Sequence, residues 1–303
     1  MGKVIVLGAR GRFGSNAVTA FAEAGWQVTA FARHWDRAPA GGVTTKAGDA
    51  MKPDALTEAC AGFDVIVNGL HPPYENWARD LMPMTQKVIA AAQASGATVV
   101  LPGNVYNYGA DGPEVWSETT PWHPTTRKGK LRVQMETAYR TAGVRTIVLR
   151  AGDFITGGET NMWFEAHIAK AAHKGRSMYP GPTDRVHAWA YLPDLARAAV
   201  MLAEKRDQFA AFEEFGFGGY NLTGAELVAK IAEATGQPQK ISGFPWPVLH
   251  VLGWFSRAMR EVPEMRYLWN VPHRMDGGKL EAVLPEFRPT PVKQALQQAL
   301  GVT

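Results

Sequence analysis

Short apolar, β-branched runs alternate along the first half of the chain with longer stretches in which apolar residues return every three or four positions. The runs at 4–7, 28–31, 43–46, 65–68, 98–101 and 146–149 read as strands, and amphipathic stretches such as 77–94 and 128–142 read as helices between them. Strand, helix and strand in this order build a parallel sheet through right-handed crossovers. The expected fold class is therefore α/β, a doubly wound parallel sheet.

After Arg150 the rhythm loosens. Gly157-Gly158 and Tyr179-Pro180-Gly181-Pro182 mark loops, and helices are expected at 161–174, 193–204, 224–235 and near 292–300. A turn-rich stretch at 215–222 and a Trp-rich segment at 246–269 lie between the later helices. In an open α/β sheet the ligand crevice lies beyond the carboxyl ends of the strands, so this loop-rich half is well placed to roof it.

The run at 4–7 leads into Gly8-Ala9-Arg10-Gly11-Arg12-Phe13-Gly14, and Val18, Phe21 and Ala22 then recur at helical spacing until Gly25. A strand that enters a tight glycine turn and then a helix N-terminus offers free amides and a positive dipole end to a pyrophosphate. Gly8, Arg10, Gly11, Arg12, Phe13 and Gly14 are thus expected to bind a dinucleotide. Residues 1–155 are expected to form an NADP(H)-binding Rossmann-type domain. Residues 156–303 are expected to form a smaller C-terminal α/β substrate lobe, interleaved with the main sheet, with late strands returning to it.

The end of the second strand discriminates between the two nicotinamide cofactors, an acid there accepting ribose hydroxyls and a base meeting a 2′-phosphate. Here the tip reads Ala32-Arg33-His34. Arg33, helped by Arg10, favours NADP(H), while Asp36 keeps NAD(H) open. Asp49, followed by Ala50, is placed after the third strand to meet the adenine amino group or to cap a turn. Asn68, Gly69 and Leu70 end the fourth strand, where glycine lets backbone approach a ligand.

Composition narrows the classes. A chain of 303 residues, 46% hydrophobic, buries a large core, and a net charge of +4 without Lys or Arg runs suits a phosphate-bearing small ligand better than nucleic acid. No apolar run approaches the roughly 18 residues of a membrane span, and no signal-peptide pattern precedes the first strand, so a cytoplasmic location is expected. The single Cys60 reads as a buried small hydrophobe in a reducing compartment. No metal site is expected from the scattered histidines. The partner expected is a small-molecule substrate, with neither nucleic acid nor membrane, and with a homodimer left open.

Together these motifs resemble the short-chain dehydrogenase/reductase superfamily, in its extended or atypical, epimerase/dehydratase-like branch. The resemblance rests on the glycine turn, on Gly48-Asp49, on Val105-Tyr106, on Ala188-Trp189-Ala190-Tyr191-Leu192-Pro193-Asp194-Leu195-Ala196 and on Tyr220-Asn221-Leu222-Thr223-Gly224. In that family a Ser and a Tyr-x-x-x-Lys carry the chemistry. Alignment places Lys130 on the lysine, with Lys128 competing, but Thr126 on the tyrosine, and Asn104 stands in the serine region. A threonine hydroxyl is far too weak an acid to replace a phenol near neutral pH.

The resemblance implies an NAD(P)(H)-binding oxidoreductase or epimerase/dehydratase-like enzyme with an incomplete triad, acting on a small carbonyl or sugar-like substrate. The alternative is a non-catalytic NADP(H)-binding sensor or regulator. Lys130 is implied as the ribose ligand and proton-handling group, Tyr106 as a replacement acid with Tyr108 and His123 as rivals, and Asn104 as a hydrogen bond to a substrate oxygen. Gly152 and Phe154 would lie against the nicotinamide, and His71 and Asp153 would face substrate.

Overall fold

A computed structural model describes residues 2–36, 38–158 and 162–302. The chain divides into two compact units: the first is 1–103 with 127–150 and 195–215, and the second is 104–126 with 151–194 and 216–303.

The first unit is built on a seven-stranded sheet. Its strands are β1 (Lys3–Leu7), β2 (Gln27–Ala32), β3 (Thr44–Ala47), β4 (Val65–Asn68), β5 (Thr98–Gly103), β7 (Thr146–Arg150) and β11 (Phe212–Gly216), in the order β11-β7-β5-β4-β1-β2-β3. Pairing from β3 through to β7 is parallel throughout. The order turns back beside β1, the switch point at which open α/β sheets bind ligands. Val4, Ile5, Val6, Val65, Ile66 and Val67 are fully buried, as expected of strands covered on both faces. The helices are α1 (Arg12–Glu23), α2 (Ala55–Cys60), α3 (Trp77–Ser95), α4 (Arg127–Thr141) and most of α5 (Leu192–Glu204).

Helix α4 departs from the amphipathic expectation. Its buried positions Lys128, Arg132, Met135, Glu136 and Tyr139 form a stripe that is largely charged. The charge is tolerated because Arg150 Nη2 donates to Glu136 Oε2 at 2.6 Å, Arg150 Nε to Glu214 Oε1 at 2.5 Å, and Arg132 to the Pro102 carbonyl at 2.8 Å. The network ties α4 to β5, β7 and β11.

The second unit contains three small sheets. They are formed by β8 (Asp153–Ile155), β10 (Val186–Tyr191) and β12 (Tyr220–Thr223); by β9 (Arg176–Tyr179) and β13 (Lys240–Gly243); and by β6 (Val115–Trp116) and β14 (Arg274–Met275). Helices α6 (Gly224–Thr235), α7 (Trp246–Phe255), α8 (Arg257–Glu261), α9 (Gly278–Val283) and α10 (Val292–Leu300) complete it. A capping box fixes the start of α6: Thr223 Oγ1 accepts from the Glu226 amide at 3.1 Å, and Glu226 accepts from the Thr223 amide at 2.8 Å. Asp194 accepts from both the amide and the hydroxyl of Thr290, at 2.6 and 2.7 Å, so this signature residue fastens a late loop.

Two expectations are corrected. The turn-rich stretch at 215–222 keeps a turn at 217–219, but its ends are the last residues of β11 and most of β12. The helix expected over 161–174 is a π-helical turn, Phe164–Ile168, followed by a 3-10 turn, Ala172–Lys174; Asn161 lies outside the described residues.

Candidate functional site

Close backbone approach dictates the glycine turn. Gly8 has φ +70°, and a Cβ there would meet the Gly69 carbonyl oxygen at 2.6 Å; a Cβ on Gly14 would collide with the Gly8 carbonyl. Gly69 in turn leaves no room for a side chain, since its Cβ would lie 2.9 Å from the Leu7 oxygen. Three glycines from two strand ends therefore pack backbone on backbone at the start of α1. Gly11 is the helix N-cap, no side chain caps the helix, and its first turn carries no acid. Such a terminus presents amides and dipole to an anion, and the donor set fits a pyrophosphate.

Around this turn, Phe13 is buried and Arg12 half-buried. Arg10 Nη1 donates to the His34 carbonyl and Nη2 to Asp36 Oδ2, both at 3.0 Å, linking the turn to the loop after β2. Arg33 is exposed at the strand tip and makes no hydrogen bond or ion pair among the described residues. Asp49 accepts from the Met51 amide at 2.9 Å, which closes a local turn beside the buried Ala50. Asn68 is occupied at both ends of its amide: Nδ2 donates to Tyr139 Oη at 2.9 Å, and Oδ1 accepts from the Leu70 amide at 3.2 Å. It shapes the loop that carries Gly69.

His71 follows in that loop, its ring 5.2 Å from Tyr74 and 5.1 Å from Trp77. The residue is exposed, and the Tyr74 and Trp77 rings crowd one side of the imidazole. Desolvation, then the Arg132 and Arg12 charges, pull its pKa down to about 4, so the imidazole is neutral near pH 7. At the start of α4, Lys130 is exposed, whereas Lys128 is 1% exposed and lies with Nζ 5.4 Å from the centre of the Tyr74 ring. Helical geometry turns 128 inward and 130 outward. The competing lysine is thus the buried one.

The remaining expected residues fall in the second unit. Asn104 Oδ1 accepts from the Tyr106 amide at 3.1 Å and caps a short 3-10 turn, Val105–Asn107. Tyr108 donates to the Ser117 carbonyl at 3.0 Å, and His123 is exposed. Gly152 is obligatory because a Cβ there would strike the Ala188 carbonyl, and Phe154 is half-buried. Asp153 Oδ2 lies 2.8 Å from His187 Nε2. The sequence reading missed His187, which its place on β10 could have flagged: Trp189 pairs opposite Asp153, and His187 sits two residues before it on the same face.

Among the described residues, no three or more His, Cys, Asp or Glu gather to hold a metal, and no helix is long and apolar enough to cross a membrane. Cys60 is buried, and burial pushes its thiol up to about 12, which removes it as a nucleophile. A cleft lined by Lys3, Gly25, Trp26 and Gly41 opens at the amino ends of β1 and β2. That is the opposite end of the sheet from the glycine turn.

A parallel sheet with this strand order and this turn defines a dinucleotide-binding protein of the α/β class. The chain belongs to the NAD(P)H-binding family, which matches residues 8–175. No curated protein matches the sequence.

Solved structures share the fold over nearly the full length. A Burkholderia cenocepacia J2315 protein, provisionally described as an epimerase, aligns at a TM-score of 0.78 and 17% identity, covering 99% of this chain and 97% of the other. MoeE5, solved with UDP-glucose and NAD, gives 0.75 and 20%, covering 99% and 98%. The UDP-N-acetylglucosamine 4-epimerase of Bacillus cereus gives 0.75 and 15%, covering 99% and 98%. The fold is the one these solved structures share.

Proposed function

We propose that this chain is an NADP(H)-dependent oxidoreductase or epimerase/dehydratase-like enzyme acting on a small carbonyl or sugar-like substrate. The observation that carries the cofactor preference is Arg33, exposed and without a partner among the described residues at the tip of β2. A guanidinium there suits a 2′-phosphate, and no acid stands at the strand tip to accept ribose hydroxyls. In this reading residues 1–155 bind the cofactor and 156–303 select the substrate. When bound, the nicotinamide supplies hydride transfer.

The chain's own residues then have separate tasks. Gly8, Gly11 and Gly14 admit the pyrophosphate, and the neutral His71 offers a hydrogen bond at the mouth of the crevice. A lysine at the start of α4 holds the ribose and handles the proton. Burial favours Lys128 for this role over Lys130, which was expected on alignment. Asn104 and Tyr106 are the candidate substrate-side groups.

Titration of wild type and Arg33→Ala with NADPH and NADH tests the cofactor assignment. Loss of a phosphate-specific pair weakens NADPH alone, by about tenfold or more; equal affinities in both proteins contradict it. Thr126 at the usual tyrosine position supports a second reading, a cofactor-binding sensor without turnover. That reading predicts NADPH binding with no oxidation across a broad carbonyl screen.

A further inference from the structure

The loop after β4 holds three rings, His71, Tyr74 and Trp77, beside the start of α4. Its backbone is fixed at several points. Pro72 and Pro73 restrict φ, Trp77 Nε1 donates to the Pro72 carbonyl at 3.0 Å, and the Asn76 amide donates to the Pro73 carbonyl at 2.8 Å, closing a 3-10 turn over Tyr74–Asn76. Trp77 is buried, and the half-buried Tyr74 packs on it at 5.0 Å, with His71 edge-on to Tyr74 at 5.2 Å. Tyr74 is therefore a rigidly placed phenol. Lys128, buried in the first turn of α4, brings Nζ to 5.4 Å from the centre of that ring. Residues 71–77 and 128 all belong to the first unit.

Hydrophobic packing gives no reason to bury an ammonium here. A cation over a phenol ring is attracted to the ring face, and it also favours the ionised phenol, since a nearby opposite charge stabilises phenolate. The charges acting on neighbouring His71, those of Arg132 and Arg12, are cationic too, and its own imidazole is neutral near pH 7. Of the acids on this loop and the helix that follows, Glu75 is exposed and Asp80 pairs with Arg79 at 2.6 Å. The setting suits a phenol that gives up its proton and keeps the charge. Its place in the fold suits the same role. Gly69, in the same loop, packs against Gly8 and Gly14 of the pyrophosphate turn. The five residues from Gly69 to Tyr74 span at most about 18 Å, and Lys128 is the lysine assigned above to the cofactor ribose.

We propose that Tyr74 is the proton donor of this enzyme and that Lys128 poises it, in place of the phenol that the resemblance would put at Thr126. The inference rests on the enzyme reading and on Lys128 as the ribose-holding lysine, and it deepens both. In carbonyl reduction the bound nicotinamide supplies a hydride to the carbonyl carbon. The π pair of the C=O bond moves onto oxygen, the Tyr74 O–H bond breaks, and its proton joins that oxygen to give the alcohol. Water reprotonates the phenolate left beside the Lys128 ammonium before the next turnover.

The test has two arms on the full chain. Without cofactor, the ¹³Cζ resonance of Tyr74, assigned by its loss in Tyr74→Phe, reports ionisation of the phenol as pH is raised. Lys128→Met is expected to lower the acid constant of Tyr74 by about tenfold or more, with circular dichroism confirming the fold at each pH. With NADPH and with D-glyceraldehyde, benzaldehyde and 2,3-butanedione as carbonyl probes, Tyr74→Phe is expected to lower kcat by about 100-fold or more. KM and NADPH affinity should stay within about threefold of wild type, and the alkaline fall in kcat should disappear, because the group that must carry the proton is gone. Unchanged ionisation of Tyr74 in Lys128→Met, or a Tyr74→Phe kcat within about threefold of wild type, overturns this assignment alone. A wild type that binds NADPH and oxidises it with none of these carbonyls overturns the enzyme reading, and the assignment with it.

Discussion

Arg10 and Asp36 are paired at 3.0 Å across the mouth of the glycine turn, with side chains 43% and 77% exposed. A surface pair of this kind contributes about 0.2–1 kcal/mol, so it is readily exchanged for a better partner. In the NADP(H) reading the 2′-phosphate competes with Asp36 for Arg10. Asp36→Asn should then improve NADPH affinity by up to about fivefold and leave NADH affinity nearly unchanged. Parallel fluorescence titrations measure both; an equal gain for the two cofactors would count against a role for Arg10 at the phosphate.

The two lysines of α4 make a matched pair for comparison. Lys128→Met should weaken cofactor binding by roughly tenfold or more if its ammonium holds the ribose, whereas Lys130→Met should change it less than about twofold. The reverse order would restore the lysine chosen by alignment. Circular dichroism confirms that Lys128→Met is folded before affinities are compared.

Gly14→Ala places a methyl against the Gly8 carbonyl. Overpacking of this sort costs about 1–3 kcal/mol and shifts the turn that receives the pyrophosphate. The expected outcome is loss of measurable NADPH binding in a protein that still unfolds cooperatively, at lower denaturant. Undiminished NADPH binding would remove the turn from the site.

Arg150 and Glu136 are fully buried partners, so removing one leaves an uncompensated charge. Glu136→Ala should cost about 3–5 kcal/mol in chemical denaturation. Arg150→Met combined with Glu136→Leu should lose less than the two single losses added together, because the buried pair is removed as a unit, while Glu214 and Arg132 each still lose a partner. A larger loss in the double variant would show that the network is worth more than its apolar replacement.

Two histidines set the direction of the acid response. His71 is depressed to about 4, chiefly by desolvation among the rings and then by the Arg132 and Arg12 charges, and His273 well below its ordinary value, chiefly by burial. Their unfolded forms bind protons below about pH 6.5 while the folded forms stay neutral, so stability present above that pH falls as pH drops toward 4. Tm measured from pH 8 to 4 should be flat above neutrality and decline below about 6.5. His71→Gln should reduce the decline; an unchanged slope would mean that His71 is not neutral in the fold.

Much of the first unit was readable as pattern. The strands are apolar runs of the right length, and Gly8, Gly14 and Gly69 stand where backbone must touch backbone, so the glycines carry their own reason. Where local pattern was ambiguous the reading slipped: glycines at 216, 218 and 219 hid the end of β11 and the start of β12. The second unit was less legible because its chemistry depends on pairs distant in sequence.

By itself, the sequence determined the parallel sheet and the turn at the end of β1, because each is a property of neighbouring residues. Tertiary structure alone decided that Lys128 is buried and Lys130 exposed, that the inner face of α4 is charged, and that Asp153 meets His187 across 34 residues. Those outcomes follow from which face a helix turns inward and which register two strands adopt, and both are fixed by packing against elements that the local pattern does not contain.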